Sequence, residues 1–165
     1  MSRYRPPRPA SSPHITPEGY QSLQTELNGL WDKRQDVVKH LAAAAAEGDR
    51  SENAEYIYRK KQLREIDRRI GYLQRRMPKL NVVERRPGDA PDQIFFGATV
   101  TLVDESDVET TYRLVGADEF DAERNWISID SPMAKALLKR QLDDEVTVQT
   151  PGGTHLYWVT DITYC

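Results

Sequence analysis

Asp49 and Glu52 are two carboxylates three residues apart in the stretch Gly48-Asp49-Arg50-Ser51-Glu52-Asn53-Ala54-Glu55-Tyr56. Three residues is one helical turn-step, so a formed turn would place both acids on one face. Such a pair offers the hard oxygen donors that Mg²⁺ takes, and it can orient a water for phosphodiester hydrolysis. The same residues also read as a capping box. Asp49 would accept from a free N–H of the following helix while Glu52 reaches back to the cap, with Ser51 as an alternative cap. A capping carboxylate keeps lone pairs for a metal, so both readings stay open.

A second group consists of cations. Lys61, Arg64, Arg68 and Arg75 fall at i, i+3, i+7 and i+14, flanked by Arg59, Lys60, Arg69 and Arg76. Only Glu65 and Asp67 offset them within residues 59–76. Charge runs are commonly solvated faces, but a solvated face normally mixes signs, and this bias suits phosphates. No base-reading motif accompanies it, so contact with nucleic acid would be backbone-directed and salt-sensitive.

Two helices must carry these residues. Thr16-Pro17-Glu18 is a helix start, with Thr16 as cap and Pro17 at the first helical position. Apolar residues then recur at Tyr20, Leu23, Leu27, Leu30, Val37, Leu41 and Ala44, interrupted only by Arg34. The alternating three–four spacing is that of a coiled-coil seam. The second helix repeats it at Tyr56, Leu63, Ile66, Ile70, Leu73, Met77 and Leu80, interrupted by Arg59, and Pro78 should kink or end it near Met77. A short loop forces the helices antiparallel, which puts Asp49 and Glu52 at the tip of a hairpin about 45 Å long. Ala42 to Ala46 narrow that tip, and Gly48 is placed to close the first helix.

Residues 1–13 read as a disordered leader rich in Pro, Arg and Ser, 14–83 as the hairpin, 84–93 as a polar linker, and 94–165 as a second domain. In that domain the period changes to two. Strands are expected over 98–103, 110–115, 126–129, 145–149 and 156–164, with Ser131-Pro132 capping a short helix to Lys139. The fold class is α+β: an N-terminal antiparallel coiled-coil hairpin followed by a small antiparallel sheet domain with a short helix. Residues 1–83 hold 16 Lys/Arg against 10 Asp/Glu, and residues 84–165 hold 7 against 16, which suggests modules with different partners. The single cysteine, Cys165, excludes an internal disulfide and a Cys/His zinc spacing. No apolar run approaches the roughly 20 residues of a membrane span, and no secretory signal is evident, so a cytoplasmic location is expected. His14, His40 and His155 are isolated, and the second domain holds no Gly-rich phosphate loop and no catalytic constellation.

The tip sequence 48–56, the run Arg59-Lys60-Lys61-Gln62-Leu63-Arg64-Glu65-Ile66-Asp67-Arg68-Arg69-Ile70, Phe95-Phe96-Gly97-Ala98, and Ile127-Ser128-Ile129-Asp130-Ser131-Pro132-Met133-Ala134 together resemble the bacterial Gre transcript-cleavage factors. The long basic run is more similar to the GreB type than to the GreA type. The resemblance spans about residues 14–164. It implies a coiled coil that enters the secondary channel of bacterial RNA polymerase, and a C-terminal domain of FKBP-like fold that docks on the channel rim. It further implies that Asp49 and Glu52 are the catalytic acids, holding Mg²⁺ jointly with the polymerase. Lys60, Lys61, Arg64, Arg68 and Arg69 would hold the 3′ end of backtracked nascent RNA, and Asp130, Ser131 and Pro132 would form the docking loop. On this view the chain is not an enzyme alone but stimulates the polymerase's own RNA cleavage. The rival readings are a secondary-channel regulator without cleavage, a plain coiled-coil interaction module, and, on fold likeness only, a prolyl isomerase.

Overall fold

The computed structural model describes residues 10–47, 53–84 and 92–164. These fall into two compact units, one formed by the residues up to Gly19 with those from Asn81 onward, the other by Tyr20–Leu80.

The three–four seam produces the two expected helices, α1 (Pro17–Ala45) and α2 (Ala54–Arg76), about 44 and 35 Å long at 1.5 Å per residue. Val37, Ile66 and Ile70 are buried between them, with Leu27, Leu30 and Leu63 packed alongside. Arg34, the interruption in the seam of α1, is accommodated by Asp67 of α2, which accepts from its Nε at 2.7 Å. Arg69 donates twice to Glu26, at 2.6 and 3.0 Å. Ion pairs this exposed are screened by solvent and add little, so the apolar seam supplies the stability. The fixed fork of Arg69 on one carboxylate supplies register. At its end α2 gives way to a tighter turn over Met77–Lys79, because Pro78 has no N–H to continue the helix.

The other unit is built on a five-stranded sheet. In chain order its strands are β3 (Thr99–Asp104), β4 (Glu109–Val115), β5 (Trp126–Ser128), β6 (Glu145–Thr150) and β7 (Gly153–Thr163), and their spatial order is β5-β4-β3-β7-β6. Helix α3 (Pro132–Leu137) buries Ala134 and Leu137 against Val100, Leu102, Leu114, Val146, Val148 and Val159. One pairing departs from the antiparallel expectation: β4 and β5 run parallel. The segment between them is a crossover containing a short helical turn, Ala117–Glu119, and a crossover returns the chain in the same direction where a hairpin turn would reverse it. β7 also differs from simple alternation. Its register against β3 shifts between Thr101 and Leu102, leaving Thr160 as the extra residue, whose hydroxyl donates to Thr101 O at 3.2 Å. A bulge exchanges the two faces for the residues beyond it, so Val159 and Ile162, three apart, are both buried in the core.

The same unit holds the root of α1. β1 (His14–Ile15) pairs parallel with β2 (Asn81–Val82), and Asn81 N donates to Pro13 O at 2.8 Å. The long hairpin segment is the connection between these two strands. Thr16 caps α1 as expected, its Oγ1 accepting from Gly19 N at 3.1 Å. Thr16 is itself held by Glu119, which is only 8% exposed. Thr16 N donates to Glu119 Oε2 at 3.0 Å, the Thr16 hydroxyl donates to Oε1, and Gly116 N donates to Oε2 at 2.7 Å. Three donors offset much of the cost of burying the carboxylate. The approach leaves no space for side chains: a Cβ on Gly19 would overlap the Glu119 carboxylate, and one on Gly116 would overlap the backbone oxygen of His14. Neighbouring Glu18 is held below the usual carboxylate range by its own backbone N–H; partial burial opposes this, and Arg113 and the Thr16 hydroxyl add to it. A lowered carboxylate pKa stabilises the fold at neutral pH, and that contribution is lost as pH falls through the lowered value.

Glu119→Ala strands the N–H groups of Thr16 and Gly116, and is expected to lower the unfolding free energy by about 2–4 kcal/mol. Glu119→Gln, which keeps one acceptor oxygen, should cost less. Chemical denaturation of the three proteins checks this; equal midpoints would show that Glu119 does not hold the root.

Candidate functional site

Toward the tip, α1 runs through its alanines to Ala45 and tightens, with Ala46 N donating to Ala42 O and Ala43 O and Glu47 N to Ala44 O, all at 3.2 Å. Asp49 and Glu52 lie outside the described residues, as do Gly48, Arg50 and Ser51. The start of α2 is described, and it comes later than the capping-box reading requires. The cap is Asn53, in extended conformation, whose Oδ1 accepts from Tyr56 N at 3.1 Å. The cap expected at Asp49 or Ser51 is therefore corrected to Asn53. The physical reason is that Asn caps as well as Asp or Ser and also carries donors. Asn53 Nδ2 donates to Ala44 O at 2.8 Å, satisfying a carbonyl at the end of α1 that no carboxylate could reach as a donor. One side chain thus closes both helix ends.

Beyond the cap, the first turns of α2 are charged and aromatic. Glu55 accepts from Arg59 Nε at 2.8 Å, and Arg59 Nη1 donates to Gln62 at 3.1 Å. The Lys60 ammonium lies 5.8 Å from the centroid of the Tyr56 ring. Lys60, Lys61, Arg64 and Arg68 are exposed along the helix face away from the seam. Arg69, expected to act with them, is half-buried and committed to Glu26. Nearby carboxylates are similarly engaged, Asp67 by Arg34 and Glu55 by Arg59. These pairings leave the outward face strongly positive.

The expected docking residues lie in the sheet unit, just after β5. Ser131 caps α3, its Oγ accepting from Ala134 N at 3.2 Å, with Pro132 at the first helical position. Asp130 is exposed; its Oδ2 accepts from Ser12 N at 2.9 Å and its N–H donates to Ser128 Oγ at 3.1 Å. The loop is thus braced on both sides of an outward carboxylate. His14 packs on Phe96, His40 lies near Asp36, and His155 near Tyr157. No group of three or more His, Cys, Asp or Glu among the described residues could hold a metal ion. No described helix is long and apolar enough to cross a membrane. Sequence reasoning missed Asn53 as the cap. Its signal was present, in an Asn followed by Glu55 in the first turn, but the Asp-x-x-Glu box upstream competed with it.

Asn53→Ala should destabilise the hairpin by about 1 kcal/mol. Asn53→Asp retains the cap on Tyr56 but loses the bond to Ala44, and should fall between. Thermal melts together with amide exchange at Tyr56 report this; a melt unchanged in Asn53→Ala would remove the clamp.

Residues 14–82 match the family model for the N-terminal domain of transcription elongation factors, and residues 89–164 match the GreA/GreB C-terminal model. The chain is 54% identical over 165 residues to a transcription elongation factor GreB of Pseudomonas aeruginosa, covering 99% of this chain and 98% of that one. It is 56% identical over 166 residues to a GreB of Xanthomonas axonopodis pv. citri, with the same coverage of 99% and 98%. Among solved structures, GreA factor homolog 1 of Thermus thermophilus aligns at a TM-score of 0.41 and 25% identity, over 90% of this chain and 97% of that one. With both of its halves matched and near-full-length relatives at this identity, the chain belongs to the GreA/GreB family of transcription elongation factors.

Proposed function

We propose that this chain binds bacterial RNA polymerase through its secondary channel in the cytoplasm, and stimulates the polymerase's own cleavage of backtracked RNA, so rescuing arrested complexes. It acts as a cofactor-like protein and not as an enzyme by itself. The observation that carries the reading is the cap of α2: because Asn53 fills that position, the acids Asp49 and Glu52 are not needed to cap α2. Family membership and the long self-contained hairpin support it as well, since a helix of about 44 Å with its own seam provides reach.

The fit of Mg²⁺ rests on donor chemistry. Asp49 and Glu52 would be this chain's ligands to an ion held jointly with the polymerase, and two hard-oxygen ligands suffice for an ion that keeps several waters. When bound, the ion supplies an activated water and stabilises charge on the leaving oxygen. The chain's own residues divide the remaining work. Asp49 and Glu52 orient the attacking water by accepting its hydrogens. Lys60, Lys61, Arg64 and Arg68 hold phosphates of the extruded 3′ RNA, with Arg69 contributing less because Glu26 already occupies it. Asp130, Ser131 and Pro132 dock the sheet unit on the polymerase.

Asp49→Asn or Glu52→Gln should reduce cleavage in a stalled, backtracked complex with Mg²⁺ by about a hundredfold or more, with polymerase binding nearly unchanged. Equal cleavage by native and variant proteins would remove the acids from the chemistry, and binding without any native cleavage would make the chain a channel-blocking regulator. Replacing Lys61, Arg64 and Arg68 by Ala should weaken action on deeply backtracked complexes most. Arg69→Ala should instead show mainly as lost hairpin stability. An equal loss on shallow and deep complexes would argue against RNA contact.

A further inference from the structure

One flank of α2 combines cations with aromatic rings. Tyr58, Lys61, Glu65, Arg68 and Tyr72 succeed each other at steps of three, four, three and four, which aligns them in one row along the helix. Tyr58 is 59% exposed and Tyr72 37% exposed, and Lys61, Glu65 and Arg68 are exposed between them. Each ring has a guanidinium over it, Arg59 at 5.5 Å from the Tyr58 centroid and Arg69 at 5.3 Å from that of Tyr72. Arg69 is in turn pinned by two bonds to Glu26, so the cation against Tyr72 is fixed before any ligand arrives. Beside it, Glu65, Arg68, Arg69 and Tyr72 line a groove of about 330 Å³. The rings are about 21 Å apart along the axis, a span of a few nucleotides of extended single strand.

Isolated exposed tyrosines need no explanation. Two of them in register with cations, each already partnered by a guanidinium, form the combination that binds single strands: positive charge to follow the backbone and π-faces to stack on bases. We propose that the Tyr58–Lys61–Arg68–Tyr72 flank is a single-stranded RNA track, in which the two rings stack on bases and Lys61 and Arg68 pair with phosphates. This rests on the RNA-contact reading above and extends it from charge to bases. Stacking is tolerant of sequence because every base has a π-face, which suits a factor that must accept whatever transcript has been extruded. Glu65 is the one carboxylate in the row; it limits affinity and so favours release.

The test uses the full chain and a short single-stranded RNA carrying a fluorescent adenine analogue, titrated at low salt, with an abasic version of the same RNA as control. Stacking predicts quenching of the analogue on binding and weaker binding of the abasic strand. Tyr58→Ala and Tyr72→Ala should each weaken binding about fivefold or more, while Tyr58→Phe and Tyr72→Phe, which keep the ring, should restore it. Lys61→Ala and Arg68→Ala should lower the salt dependence without changing the quench at saturation, and Glu65→Gln should tighten binding. No binding, no quench at saturation, or equal affinity for the abasic strand would overturn the proposal. So would alanine variants of both tyrosines, folded by circular dichroism, that bind like the native chain. The cleavage assay separates the two claims. A chain that quenches the analogue but stimulates no cleavage rejects the functional reading alone, and one that stimulates cleavage without quenching rejects this track alone.

Discussion

The buried carboxylate of Glu119 is the constraint on which the root of the hairpin depends. An ionised group is costly to withdraw from water unless its lone pairs are filled. Here they are filled by Thr16, the cap of a helix, and by Gly116 in a turn. The consequence reaches beyond one contact. Gly19 and Gly116 are fixed as glycines by close approach to Glu119 and His14, and Thr16 is at once helix cap and latch. The parallel pair His14–Ile15 and Asn81–Val82 then closes the loop, so both ends of a long helical excursion leave the sheet unit from adjacent points.

Within the hairpin, apolar contact and charge have separate tasks. The seam supplies the stability, and the ion pairs Arg34–Asp67 and Arg69–Glu26 select register at little energetic gain. Their second effect is on the electrostatics of α2. Asp67 and Glu55 are turned toward Arg34 and Arg59, while Lys60, Lys61, Arg64 and Arg68 remain exposed with Glu65 among them. At the tip the same economy holds: a neutral amide, Asn53, closes both helices, so the cap of α2 uses no carboxylate. Positive charge along the outward face of α2 is the distribution that attracts a polyanion.

Much of this architecture was legible in advance, and for local reasons. The seam could be read because its period is that of the helix itself, the stop at Pro78 because proline lacks an N–H, and α3 because Ser131 and Pro132 act within one turn. The basic stripe was legible as a stripe for the same reason. What could not be read was which of its members were already engaged: Arg69 meets Glu26 across 43 positions, and spacing along one helix carries no information about that partner. The choice between Asp49, Ser51 and Asn53 as cap was likewise open locally. It was decided by Ala44 of the opposite helix, whose carbonyl accepts from the Asn53 amide while the same side chain caps α2.

The sequence by itself determined the two long helices, their antiparallel pairing, the change of period into a sheet unit, the position of the basic face and the family. All of these arise from short-range periodicity or contiguous motifs. Tertiary structure alone decided the latch at Glu119, the two-residue strands at the root, the parallel pairing of β4 with β5, the bulge at Thr160 that turns Val159 and Ile162 to one side, and the division of the cations into engaged and exposed. Each of these depends on groups brought together from distant parts of the chain. There a hydrogen bond or an ion pair is settled by which partner lies within about 3 Å, and position in sequence does not specify that partner.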